Sequence, residues 1–175
     1  ILDVGCGRGK ILGNLSSRLK LKNKPLGIDI ISHKDKDKRI NFKKINASKF
    51  FSTNKKKFDL ILIKQTIHLL NLNEIKRILK LSKKNLSIKG KVFIFTLDTA
   101  QNEIPTFRLM KSKLMSSLNR DKKIIKMITK LYPQRIKKKF VFKVRMIKTD
   151  YLNMIKNKYI STLLSLSNSE ITDGL

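Results

Sequence analysis

Apolar residues recur in two rhythms along this chain, and the rhythm changes near residue 98. Short apolar runs at Ile1–Val4, Pro25–Ile30, Phe58–Ile63 and Lys91–Leu97 predict strands. Phe58–Ile63 is continuous, as in a strand covered on both faces. Asn41–Asn46 is mixed and predicts an edge strand. Between these runs, Lys10–Leu21 places Ile11, Leu12, Leu15 and Leu19 at helical spacing. Asn73–Leu86 does the same with Ile75, Ile78, Leu79 and Leu86, with Asn73 as its cap. Ser32–Arg39 reads as a charged, exposed loop or short helix, and Phe50–Lys57 as a connection without periodicity. Strands alternating with helices predict an α/β fold on a parallel sheet with right-handed crossovers.

Beyond the loop Asp98–Pro105 the pattern is mostly helical. Thr106–Leu118 and Asp121–Leu131 predict two helices, with Pro133 stopping the second. Lys137–Lys148 alternates Phe140, Phe142, Val144 and Met146 with basic residues, the signature of a half-buried strand. Thr149 caps a helix through Ile155, Tyr159–Leu166 is a further short helix, and a last one starts at Asn168 or Ser169. There are no repeats.

The chemistry concentrates at the first strand's end, Asp3-Val-Gly-Cys-Gly-Arg-Gly9. Glycines at alternate positions after a strand make a tight turn that a ligand can approach closely. The helix behind it directs free N–H groups and its positive end at that ligand. The second strand ends in Asp29, 20 residues after Gly9, where a nucleotide-binding crossover places its ribose-binding acid. The spacing differs from the Gly-x-Gly-x-x-Gly of dinucleotide folds, which points to a different nucleoside-type cofactor.

Composition adds limits. At 175 residues and 41% hydrophobic, the chain suits one domain with a core. No apolar run is long enough to span a membrane, and no membrane partner is expected. Cys6, the lone cysteine, forms no internal disulfide; it reads as a small turn residue in a reducing, cytoplasmic compartment. The net charge of +29 is open to two readings. A nucleic-acid surface is one. The other is codon bias, since 33 of 41 basic residues are lysine, spread over every segment, and there is no Trp. Base and phosphate readers favour arginine and stacking aromatics, so nucleic acid is the less favoured partner.

Ile1–Gly9 resembles the first motif of class I S-adenosylmethionine-dependent methyltransferases. Leu26–Asp29 resembles the second, Asn41–Phe50 the third, Phe58–Leu70 the fourth and Gly90–Leu97 the fifth strand. The Gln65-Thr-Ile-His68 spacing is similar to that of the trans-aconitate methyltransferase-like branch. The resemblance implies a Rossmann-like, doubly wound, mostly parallel sheet with strand order 3-2-1-4-5-(7)-6. Lys137–Lys148 would be the antiparallel strand, and nothing after it resembles the seventh. A single methyltransferase domain over 1–175 is expected, with 1–97 as cofactor-binding core and 98–175 as substrate-side cap. It is expected to be truncated at both ends, since the chain starts within a strand, without Met.

The resemblance also implies roles. S-adenosyl-L-methionine would lie against Asp3, Gly5, Cys6, Gly7 and Gly9, with Asp29 accepting from the ribose hydroxyls and Ile30 beside it. Asn46, where the family more often has Asp, and the Ala47 N–H would meet the adenine. Lys64 and Gln65 would line the pocket after the fourth strand. His68 is the candidate catalytic residue, and Tyr159–Thr162 is similar to the branch's substrate-side segment. The expected reaction is methyl transfer to an oxygen, such as a carboxylate, of a small molecule; Lys64, Arg108 or Arg145 would attract an anionic one. RNA methylation with the same donor and a non-catalytic nucleotide-binding module are the alternatives. Asn-Pro-Pro-Tyr, a signature of enzymes that methylate base amino groups, is absent after the fourth strand, and no metal-ligand spacing occurs.

Overall fold

The computed structural model describes residues 1–175 apart from Gln65, residues 97–104 and Phe142, and only the backbone of His68 and Ser161. The chain forms two compact units, Ile1–Leu97 and Asp98–Leu175.

The first unit is a five-stranded parallel sheet in the order β3-β2-β1-β4-β5. The strands are β1 (Leu2–Val4), β2 (Leu26–Asp29), β3 (Asn41–Lys44), β4 (Phe58–Lys64) and β5 (Leu86–Phe95). β1 lies at the centre and is wholly buried. Val4 pairs with Ile28 on one side and Ile63 on the other, so three strands end in line. The first helix, α1 (Lys10–Arg18), buries Leu12, Gly13 and Ser16. Ile11 and Leu19, expected on its inner face, are about half exposed, at 49% and 54%.

Ala47–Thr53 forms a helix, α2, where the sequence reads partly as a connection. Seven residues are too few to show helical periodicity, but Phe50 and Phe51 bury their rings, and Phe50 also meets Phe58. The next helix, α3 (Leu72–Lys84), packs against α2 and buries Ile75, Ile78, Leu79 and Ser82. Its cap is Asn71 rather than Asn73.

β5 begins five residues before the expected Lys91 and runs through Gly90. Phe58 pairs with Leu86 but Leu60 with Lys91, so β5 carries extra residues between them. A side chain at Gly90 would lie 2.7 Å from the Phe58 carbonyl oxygen. The glycine therefore permits a bulge inside the strand.

The second unit is helical. In place of two helices, Arg108–Leu131 is one continuous helix, α4. No Pro or Gly interrupts it, and buried Met110, Leu118 and Ile124 continue one stripe past Asn119. It is followed by α5 (Lys148–Lys156), a 3₁₀ turn (Ser161–Ser165) and α6 (Asn168–Gly174). Met110, Ile155, Leu163, Leu166 and Ile171 form the core of this unit. α6 starts at Asn168, one of the two expected positions, and is capped by Ser167.

The strand expected over Lys137–Lys148 is not formed among the described residues: 132–147 carry no helix or strand, and Lys148 begins α5. Phe140 and Val144 are 65% and 75% exposed. A strand exists through hydrogen bonds to a partner, and alternating side chains do not supply one. No described helix is long and apolar enough to cross a membrane.

Candidate functional site

The aligned ends of β1, β2 and β4 bring Gly5, Asp29 and Lys64 side by side at the carboxyl edge of the sheet, where open α/β sheets bind ligands. The glycine turn leaves β1 there. Gly5 N–H and Cys6 N–H both donate to the Ile28 carbonyl, at 2.9 and 3.1 Å, tying the turn to β2. Gly5, Gly7 and Gly9 all have positive φ, between 55° and 74°. Only glycine adopts these angles without strain. Gly9 N–H closes the turn onto the Cys6 carbonyl at 2.9 Å, and α1 starts at Lys10.

Asp29 holds this turn. Its Oδ2 accepts from Gly7 N–H at 2.8 Å and its Oδ1 from Ile31 N–H at 3.0 Å. Each oxygen keeps a second lone pair. A Cβ placed on Gly7 would have no heavy atom within 4 Å, so the turn opens into free space there. At Gly5 the same construction meets Thr66 Oγ1 at 2.1 Å. Thr66 donates to the Val4 carbonyl at 3.0 Å, joining the segment after β4 to the end of β1. Thr66 carries no motif; its only sequence signal is its place two residues past a strand end.

Asp3 is 4% exposed. Burial raises its carboxyl from 3.8 to about 6; Lys64 opposes that rise and Asp29 adds to it. Burial, with Asp3 and Asp29 adding, pushes the Cys6 thiol up to about 12, so it is neutral at physiological pH and a poor nucleophile. Lys64 ends β4, half-buried. Ile30 is 62% exposed beside Asp29.

Asn46 is brought to the same edge, since Ile45 N–H donates to the Asp29 carbonyl at 2.8 Å. Its side chain caps α2: Oδ1 accepts from Ser48 N–H at 2.8 Å and Lys49 N–H at 3.4 Å. Ala47 is the first residue of α2. His68 is the middle residue of a 3₁₀ turn, Ile67–Leu69, but its side chain and all of Gln65 lie outside the described residues. Arg108 belongs to the second unit, beside a shallow pocket lined by Phe107, Glu170 and Asp173. Arg145 lies in the irregular segment before α5, and Tyr159–Thr162 leads into the second 3₁₀ turn. Among the described residues no cluster of three or more metal-ligating side chains occurs.

Two solved structures share this architecture. The plantazolicin methyltransferase BamL, in complex with a triazolic desmethylPZN analog and SAH, is 22% identical, with a TM-score of 0.54; the match covers 74% of this chain and 51% of BamL. A SAM dependent methyltransferase from Archaeoglobus fulgidus is 16% identical, with a TM-score of 0.53 and coverage of 99% and 79%. The chain thus spans about half the length of BamL. No curated protein sequence matches it. Residues 1–90 match the family described as "Methyltransferase domain", more than half of the chain and all of the glycine turn, β2 and β4. The chain belongs to this methyltransferase domain family, which uses S-adenosylmethionine.

Proposed function

We propose that this chain transfers the methyl group of S-adenosylmethionine to a small molecule, on an oxygen such as a carboxylate. Residues 1–97 would form the cofactor-binding core and 98–175 the part that selects the acceptor, in the trans-aconitate methyltransferase-like branch. The observation that carries the reading is the open face of Gly7 beside the Asp29 carboxylate, at the shared ends of three strands. The Gln65–His68 spacing supports the branch, and BamL, solved in complex with SAH and a triazolic desmethylPZN analog, supports a small-molecule acceptor.

The residues present fit the donor. The face of Gly7 leaves room for the donor against the main chain, and Asp29 retains lone pairs for both ribose hydroxyls. Ile30 offers an exposed apolar side chain next to that carboxylate. The Asn46 oxygen is engaged in capping α2, which leaves the Ala47 N–H as the better adenine contact. When bound, the sulfonium supplies an already activated methyl group. The protein's task is then alignment and exclusion of water. His68 would polarise or deprotonate the acceptor, with Gln65 and Lys64 lining the wall after β4.

Calorimetric titration with S-adenosylhomocysteine tests the site. Asp29→Ala should weaken binding by about 1–3 kcal/mol, the loss of hydrogen bonds to a charged acceptor. Gly7→Ala should cost about 1–2 kcal/mol of stability from its left-handed φ, with no clash inside the protein, and weaken binding by more than that. Wild-type affinity in both variants would remove the assignment. For His68, His68→Gln should lower turnover while donor affinity holds; unchanged turnover would assign His68 to packing.

A further inference from the structure

The connection between β2 and β3 contains the run Lys34-Asp-Lys-Asp-Lys-Arg39, which the site above leaves without a role. Its lysines are partly or fully exposed, whereas Asp37 is drawn inward, with 9% of its side chain exposed. Arg39 donates to both Asp37 oxygens, from Nε to Oδ1 at 2.9 Å and from Nη2 to Oδ2 at 2.6 Å. The same guanidinium donates to Asn14 Oδ1 at 2.8 Å and Ser17 Oγ at 3.1 Å on α1. The carboxylate thus held occupies the space over Gly13, where a Cβ would meet its oxygens at 2.4 and 2.6 Å.

The backbone of Asp37 reaches the glycine turn itself. Its N–H donates to the Arg8 carbonyl at 2.9 Å. The Arg8–Gly9 peptide is therefore pinned on both sides, its oxygen by Asp37 and its N–H by the Cys6 carbonyl. That peptide lies between Gly7 and Gly9, which have access to both hands of backbone conformation. Without a partner for the Arg8 carbonyl it keeps only the bond from Gly9 N–H to the Cys6 carbonyl. Arg8 adds an exposed side-chain pair to Asp35, with Nε to Oδ2 at 2.9 Å, which salt would screen.

We propose that Asp37 and Arg39 are positioning residues for the cofactor site: Arg39 seats Asp37 on Gly13, and Asp37 fixes the Arg8–Gly9 peptide in the orientation that receives the donor. The inference rests on the cofactor reading above, and it adds a part that touches neither donor nor acceptor. Arg39 and Asp37 have their polar contacts with α1 and the turn, and the Arg39 end of the pair is 45% exposed. Exposed pairs add little to global stability. Their removal should therefore register in binding more than in unfolding.

The test compares S-adenosylhomocysteine affinity, thermal unfolding and Gly9 amide exchange in the wild-type full chain and four variants of it. Arg39→Met should raise Kd by about tenfold, equivalent to about 1.4 kcal/mol, with little change in unfolding. It should also speed Gly9 amide exchange in the ligand-free protein. Gly13→Ala improves helix propensity, yet should weaken binding because it unseats Asp37. Gly13→Ala/Asp37→Ala removes the clash and should bind no worse than Asp37→Ala alone. Wild-type affinity and exchange in Arg39→Met, or equal losses from Gly13→Ala with and without Asp37, would overturn the proposal. Failure of the wild-type chain to bind is a separate result: it overturns the cofactor reading and this inference with it.

Discussion

Asp3 and Asp37 are displaced in opposite directions, and their pH signatures differ in sign. Asp3 is raised from 3.8 to about 6, so the folded chain holds its proton more tightly than the unfolded chain does. The stability it contributes is complete below 3.8 and is lost as pH rises through about 6. Asp3→Asn should flatten the melting temperature as a function of pH between about 4 and 6. Circular-dichroism melts across that range check it, and an unchanged slope would count against a buried Asp3. Asp37 is lowered to about 2, mainly by its hydrogen bonds from Arg39, so its contribution is present above 3.8 and fades only as pH falls through about 2. Its seat on Gly13 is therefore intact at neutral pH. At this scale the sequence reveals the glycine turn and Asp29, because backbone angles and strand ends constrain residue type. It does not reveal Thr66 or Asp37, whose partners at Val4 and Arg8 are 62 and 29 positions away.

Element boundaries follow capping chemistry more closely than they follow apolar periodicity. At α3, Asn71 Oδ1 accepts from Glu74 N–H at 2.9 Å, while Glu74 Oε2 accepts from Asn71 N–H at 3.1 Å. Ser167 and Glu170 repeat the arrangement at α6. Both boxes are visible in the sequence as a cap residue with Glu three positions on, and at α3 the box outranks Asn73 as the cap. Asn71→Ala should lower stability by about 1 kcal/mol. Urea denaturation should show a lower midpoint with an unchanged slope, and an unmoved midpoint would mean that the cap contributes nothing. The five strands are legible because four runs are short and apolar and the mixed third lies between crossovers; their order is the one the family resemblance implies. The Lys137–Lys148 alternation is equally clear in sequence but forms no strand among the described residues, since pairing depends on a partner elsewhere in the chain. α2 fails in the other direction: its seven residues show no period, yet the Asn46 cap and two buried phenylalanines form a helix.

Across the whole molecule, 41 basic residues face 12 acidic ones. A surface of that kind attracts polyanions without reading them, so charge supplies no acceptor and no RNA site by itself. It has another consequence at the edge of the sheet. Among the described residues β5 pairs only with β4, and one face of the strand carries Phe93 and Phe95, 46% and 41% exposed and in edge contact with each other. An open edge with aromatic side chains is a template for a second copy of the same strand. Lys89 and Lys91 stand beside it, and the repulsion between highly cationic copies acts as a colloidal barrier to that encounter. Salt shortens the reach of the barrier from about 10 Å at 0.1 M to about 3 Å at 1 M. Light scattering should therefore grow as sodium chloride is raised, and Phe93→Lys should suppress the growth. Scattering that falls with salt in the wild-type chain would show that charge promotes self-association here. The lysine excess then acts as a solubility device whose strength is set by the ionic strength of the medium.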